Sequence, residues 1–210
     1  MSRLTIIVAA TKSNGIGQNG QLPWRLPKEI KYFAQVTSNA PEGTQNAVIM
    51  GRNTWESIPK KFRPLPNRLN VVITSNAEYS LGTADEAQTS AVTANSLEAA
   101  LERLNSPSST KSIHRGFIIG GAHLYRETLK LAAPSSSAPA SQPYVDRVLL
   151  TRVISPDFDC DVFMPEISET SGKWVQASHA ELQEWVGVPV VEGVQEEKGV
   201  QYEFQMWTRE

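Results

Sequence analysis

The chemistry of this chain starts from an acid in an apolar setting. The segment from Pro27 to Val36 has helical periodicity, with Leu26, Ile30, Phe33 and Val36 recurring at spacings of three and four. At ~100° per residue that phase stacks Glu29 with Phe33 and Val36, so its carboxyl points where a core belongs. An unpaired carboxylate loses much of its hydration there, so such a position normally comes with a partner. A buried acid with a raised pKa can act as a general acid or grip an amidine-like ligand. On the helix alone, an acid snorkelling from the edge of the stripe explains the position equally well.

Two strand-to-helix junctions have the form of phosphate sites. In Val48-Ile49-Met50-Gly51-Arg52-Asn53-Thr54-Trp55 an apolar run ends at Gly51, a helix starts near Asn53, and Arg52 stands beside the first turn. In Ile118-Ile119-Gly120-Gly121-Ala122-His123-Leu124-Tyr125 paired glycines precede the next helix. Helix starts present free N–H groups and partial positive charge, so both can hold an anion. A Gly-Gly pair alone is more often just a turn, but two such junctions in one chain favour a ligand with separated phosphates. Neither a G-x-G-x-x-G fingerprint nor a G-x-x-x-x-G-K-[ST] loop follows any strand, and no nucleophile elbow is present.

The elements that must position these residues are legible in outline. Unalternating apolar runs at Leu4–Ala10, Ala47–Met50, Asn70–Thr74, Phe117–Ile119 and Val145–Thr151 predict strands buried on both faces. Helical patterns fall between them at Pro27–Val36, Trp55–Ile58, Ser96–Leu104 and Ala122–Leu129. The expectation is a single α/β domain over residues 1–210: a mostly parallel, mixed sheet of about eight strands flanked by about four helices. Lys173–Ser178 and Gln201–Arg209 alternate, with a turn at Glu196-Glu197-Lys198-Gly199, and predict an antiparallel C-terminal edge. Ala132–Pro143 is low complexity and predicts a surface insertion that builds no core.

Bulk properties remove several classes of function. The 210 residues carry a net charge of -2 with no basic tract, which argues against nucleic acid. No run approaches the ~20 apolar residues of a membrane span, and the N-terminal apolar run is too short for a signal peptide. Cys160 is the only cysteine, so no intramolecular disulfide forms. The three histidines show no metal-ligand spacing, and no metal is expected. The location expected is cytoplasmic, with a mitochondrial pool left open, and the protein is expected to be a monomer.

Leu22-Pro23-Trp24, the acid five positions later, Gly51-Arg52-Asn53-Thr54-Trp55-Glu56-Ser57-Ile58-Pro59, Arg63-Pro64-Leu65, Arg68-Leu69-Asn70, Gly120-Gly121 and Gln195-Glu196-Glu197-Lys198-Gly199 occur in one order along the chain. Together they resemble the dihydrofolate reductase family, in its eukaryotic, single-function, fungal form. The resemblance spans Leu4 to Arg209, with Asn76–Ala91 and Ala132–Pro143 outside it.

The resemblance implies NADPH-dependent reduction of dihydrofolate, binding of antifolates, and a place in one-carbon and thymidylate metabolism. It makes Glu29 the acid that grips the pterin and passes a proton to N5, with Thr151 bonded to it. Trp24 orders a water nearby, although a plain core indole is the alternative, and Tyr125 lies near the nicotinamide. Ile7, Val8, Ala9, Ile30, Phe33, Ser57, Ile58, Leu65 and Ile119 become substrate walls, each also a plausible core residue. Phe62 becomes a rim position and Arg68 the partner of the substrate α-carboxylate. For the cofactor, Ile16, Gly17 and Gly20 become a lid over nicotinamide, beside Ala9. Gly51, Asn53, Thr54, Gly120, Gly121, Ala122, His123 and Leu124 hold the diphosphate, Arg52 faces the 2′-phosphate, and Thr74, Ser75 and Asn95 line the adenosine end. Many relatives carry an arginine after the Asn70–Ile73 strand; Thr74-Ser75-Asn76 offers none, so preference for NADPH rests on Arg52. A cis peptide at Gly120-Gly121 is also implied. Two rivals stay open: a reductase of the same fold acting on an aminouracil precursor of riboflavin, and a non-catalytic nucleotide-binding module on this scaffold.

Overall fold

Because β1 (Arg3–Thr11) is buried on both faces, it belongs at the middle of a sheet and not at its rim. In this computed structural model, which describes residues 3–82, 90–105, 111–133, 142–169 and 173–209, the chain continues through β2 (Gly15–Gly17), α1 (Pro27–Ser38), β3 (Thr44–Gly51), α2 (Arg52–Ser57), β4 (Arg68–Ile73) and β5 (Ala91–Ala94). There follow α3 (Leu97–Asn105), β6 (Ser112–Ile118), α4 (Ala122–Leu129), β7 (Tyr144–Ser155), β8 (Val162–Phe163), β9 (Trp174–Gln176), α5 (His179–Val186), β10 (Gln195–Glu197) and β11 (Val200–Arg209).

Hydrogen-bonded neighbours run β10-β11-β7-β1-β6-β3-β4-β5, with β9 pairing β11 as a ninth strand. The six strands from β7 to β5 are parallel. β11 runs antiparallel to β7, β9 and β10, closing the C-terminal edge as expected. Lys198 and Gly199, both left-handed, make the β10–β11 turn.

Each face of the sheet carries its own core. Leu4, Ile6 and Val8 of β1 pack with Leu97, Leu101 and Leu104 of α3 and Leu124 and Leu129 of α4. Ile7 faces the other way, into a cluster with Tyr32 and Val36 of α1, Trp55 of α2, and Leu182 and Val186 of α5. The chain leaves β1 toward β3, β4 and β5, returns to set β6 between β3 and β1, then crosses to β7 on the other flank. In open α/β sheets the ligand crevice lies at such a reversal, at the carboxyl ends of the strands.

Several boundaries differ from expectation. The described residues hold five α-helices, in keeping with about four, and one more than the helical patterns mark. The additional one, α5, is marked by a capping box: the Ser178 hydroxyl accepts from the Glu181 N–H, and the Glu181 carboxylate accepts from the Ser178 N–H. α2 begins at Arg52 and ends at Ser57, so the Trp55–Ile58 span was placed too late. β6 starts at Ser112, well before Phe117, because its first half is half-exposed and lacks the apolar run that marks a doubly buried strand. The short strands β2, β5 and β8 were not anticipated. Most of the Ala132–Pro143 insertion and the middle of Asn76–Ala91 lie outside the described residues.

Candidate active site

α1 delivers Glu29 to the carboxyl end of the sheet. Pro27 opens the helix, where its missing N–H costs nothing. The Lys28 N–H donates to the Glu197 carboxylate of β10 at 3.0 Å, which ties the helix start to the antiparallel edge. The buried face of α1 is Glu29, Tyr32, Val36 and Thr37. Glu29 is therefore sunk, at 8% exposure, but Ile30 is 51% exposed and stands outside the packing. The expected stripe is thus rotated, because the Tyr32 ring packs on Phe204 of β11, with ring centroids 4.1 Å apart. Phe33 is left half-buried.

The Thr151 hydroxyl, opposite Ala9 in the β1–β7 register, donates to Glu29 Oε1 at 3.2 Å. Burial pushes the Glu29 carboxyl up to about 7; the Thr151 bond pulls against this and the Glu197 charge adds to it. The buried Tyr32 and Tyr125 hydroxyls are pushed up as well, by burial and then by the Glu29 charge. Trp24 lies in a third cluster with Leu26, Val153, Val200 and Tyr202, its ring edge-on to Phe158. Its indole N–H is buried with no acceptor among the described residues.

Arg68 is not the surface arginine that its exposed neighbours Pro66 and Asn67 suggest; it is 3% exposed. Its Nη1 donates to the Thr37 hydroxyl and its Nε to the Pro66 carbonyl at 2.9 Å, with the guanidinium 6.0 Å from the Phe33 ring centre. Burial draws it down to about 10, so it remains a cation at neutral pH. Leu65, half-buried, is fixed by its N–H to Asn70 Oδ1, Ile58 is half-buried, and Phe62 is 56% exposed. Ser57 is exposed and spends its hydroxyl on the Thr54 carbonyl.

The ends of β1, β3 and β6 converge on the glycine pair. The Gly51 N–H donates to the Gly120 carbonyl at 2.9 Å, and the Ile119 N–H to the Ile49 carbonyl. The Gly120–Gly121 peptide is cis. A Cβ on Gly120 would lie 3.3 Å from both the Thr54 and the Tyr125 hydroxyl oxygens, and its φ of 120° suits no other residue. The Tyr125 hydroxyl donates to the Ile7 carbonyl. Gly51 and Gly121 cap α2 and α4 with no side-chain bond, leaving the first N–H groups of both helices available. His123 is exposed, and Leu124 turns its side chain into the core, so it offers a ligand only its backbone. Arg52 is exposed and pairs with Glu56 one turn on, at 3.9 Å. Thr74 and Asn95 follow the paired ends of β4 and β5, while Ser75 is exposed.

Ile16, Gly17 and Gly20 lie on a loop fastened at its side. β2 pairs with β8, the Gly17 carbonyl accepts from the Asp161 N–H at 3.0 Å, and the Asn19 N–H donates to Asp161 Oδ2 at 2.8 Å. Asn14, Arg152 and Asp161, which hold this loop, were not anticipated. The only signals were the turn dipeptides Asn14-Gly15 and Asn19-Gly20. Among the described residues no three His, Cys, Asp or Glu converge as metal ligands, and no helix is long and apolar enough to cross a membrane.

A family model described as dihydrofolate reductase matches residues 3–191. The chain belongs to the dihydrofolate reductase family. It is 45% identical to the dihydrofolate reductase of Cryptococcus neoformans, over 97% of this chain and 93% of that one. It is 44% identical to that of Pneumocystis carinii, over 99% and 97%. Among solved structures, Schistosoma mansoni dihydrofolate reductase superposes with a TM-score of 0.74 at 32% identity, covering 100% of this chain and 99% of that one. The chain is thus an oxidoreductase that acts on dihydrofolate and binds antifolates. A nicotinamide cofactor comes with the dihydrofolate reductase family, and the two uncapped helix starts and the crowded Gly120 fit one.

Proposed function

We propose that the molecule reduces 7,8-dihydrofolate to 5,6,7,8-tetrahydrofolate with NADPH, with hydride placed on C6 and a proton on N5. It would act as a cytoplasmic monomer supplying reduced folate for one-carbon and thymidylate synthesis. The observation that carries this reading is Glu29, buried at the head of α1, bonded to Thr151 and pushed up to about 7. Near neutrality it is about half protonated, where an acid best combines availability with driving force. When ionised, it accepts two charge-assisted hydrogen bonds from the amidine-like edge of the pterin. Trp24 offers its unpaired indole N–H to a water beside that acid.

Arg68 receives the substrate α-carboxylate. Thr37 and the Pro66 carbonyl hold Nη1 and Nε, so the fork is oriented before the substrate arrives and its other donors stay free of acceptors among the described residues. When bound, the reduced nicotinamide dinucleotide supplies the hydride. Thr54 and the first N–H groups of α2 and α4 suit its phosphates, and Arg52 provides charge for the 2′-phosphate. Ile16, Gly17 and Gly20 exclude water from above.

The test is loss of reduced-nicotinamide absorbance on adding dihydrofolate. Wild type should turn over, and Glu29→Ala should lose at least ~10²-fold in kcat. A Glu29→Ala variant with wild-type kcat removes the assignment.

A further inference from the structure

Adjacent residues of β7 reach two functional places. Thr151 turns toward Glu29, and strand alternation sends Arg152 to the opposite face. There its Nη1 donates to the Thr11 carbonyl at 2.5 Å and to Asn14 Oδ1 at 2.9 Å. Thr11 ends β1 and Asn14 precedes β2, so these are the two ends of the turn by which the Ile16–Gly20 loop leaves the sheet.

That turn is constrained beyond what a connection requires. Asn14 has φ 61°, a left-handed conformation that costs energy for a residue with a Cβ. Its N–H donates to the Thr11 carbonyl at 2.9 Å, and its own carbonyl accepts from the Met164 N–H at 2.8 Å. Its side-chain amide donates to Glu166 at 2.7 Å, and the Gly15 N–H donates to the Thr11 hydroxyl at 2.9 Å. Arg152 lies at the centre of this arrangement, half-buried, so holding it there forfeits hydration that only directed bonds offset.

We infer that Arg152 is a positioning residue for the lid: it fixes the Thr11–Asn14 turn and thereby the path of Ile16–Gly20 over the cofactor site. One strand then sets both the proton donor and the cover from consecutive side chains. The inference rests on the proposed role of that loop as a cofactor lid.

The test compares wild type with Arg152→Met, which keeps the length but loses every donor, and with Arg152→Lys, which keeps a cationic donor. Asn14→Gly, which tolerates the backbone but loses both side-chain bonds, is the fourth protein. The readouts are the NADPH dissociation rate by stopped flow, kcat and KM for each substrate, and tryptic cleavage after Lys12, which is exposed within the turn. Arg152→Met should speed NADPH dissociation about tenfold, the scale of one lost hydrogen bond to a charged group. KM for NADPH should rise with it, while KM for dihydrofolate and the pH midpoint of kcat/KM stay put. Cleavage after Lys12 in the ligand-free protein should accelerate more than at other sites, and Arg152→Lys should recover part of each effect. Unchanged dissociation and unchanged cleavage overturn the inference, as does equal weakening of both substrates. If Arg152→Met does not fold, Arg152→Lys and Asn14→Gly decide by the same criteria. Loss of Lys12 protection with NADPH release unaltered would leave the anchor standing and reject the lid.

Discussion

At neutral pH Glu29 bears a partial charge that its surroundings resist, which suits the acid-base role proposed for it and costs stability at the same time. Its folded pKa, about 7, exceeds the ordinary 4.5, so between these values the native state binds more protons than the unfolded chain. The stability that depends on Glu29 is therefore fully present below about 4.5 and is lost as pH rises through about 7, by about 3 kcal/mol in all. Urea unfolding of the ligand-free protein across that window should show the slope, and Glu29→Gln should flatten its part of it. The proposed preference for NADPH also belongs to the residue scale. Arg52 is the exposed cation at the start of α2, and Thr74, Ser75 and Asn95 bring only hydroxyls and an amide. Arg52→Gln should cut kcat/KM for NADPH about tenfold or more and leave NADH nearly unchanged, since a hydrogen bond to a charged group is worth about 1.5–3 kcal/mol. Equal losses for both would remove Arg52 from discrimination. Glu29 was legible because a charge breaking a helical stripe is a signal in a single sequence. Arg152 was not, because its partners Thr11 and Asn14 lie far away in sequence and meet it only once β1 and β7 pair.

At the scale of elements, β1, β3, β4, β7, the buried end of β6, and α4 are readable because burial on both faces forces unbroken apolar runs, and a glycine pair marks where α4 begins. The strands β2, β5 and β8 are too short to carry a period, and their pairing comes from tertiary context. The roll of α1 was misread by about one position, since periodicity gives no account of Tyr32 docking on Phe204. α5 carries its own terminal signals, with the capping box at one end and left-handed Gly187 at the other. A Cβ at Gly187 would sit 2.9 Å from Asn39 Nδ2, the group that donates to the Val186 carbonyl at the end of the helix. Gly187→Ala should thus cost about 1–2 kcal/mol, the left-handed penalty, with the loss of that bond added. The urea midpoint reads it, and the pH midpoint of kcat/KM should not move, because Gly187 caps α5 against Asn39, at the opposite end of α1 from Glu29.

For the whole molecule, the reversal of strand order brings groups from both cores to one place, so a ligand held there would brace the sheet. An antifolate at ~100 times its Kd should add about 2.7 kcal/mol, a rise in Tm of about 5–10 °C for a chain of this size. Differential scanning fluorimetry checks it, and the proposed monomer requires a Tm independent of protein concentration. The order of strands has one more effect, on tolerance of cleavage. β11 follows every other strand of the sheet in chain order, yet it supplies Phe204 against Tyr32 and packs Tyr202 with Trp24. Without β11 the helix that bears the acid keeps its packing on Ile7 and Val48 but loses the ring of Phe204 under Tyr32. A nick in the β10–β11 turn that let β11 peel away would therefore slacken the seat of Glu29 while the parallel strands kept their pairing.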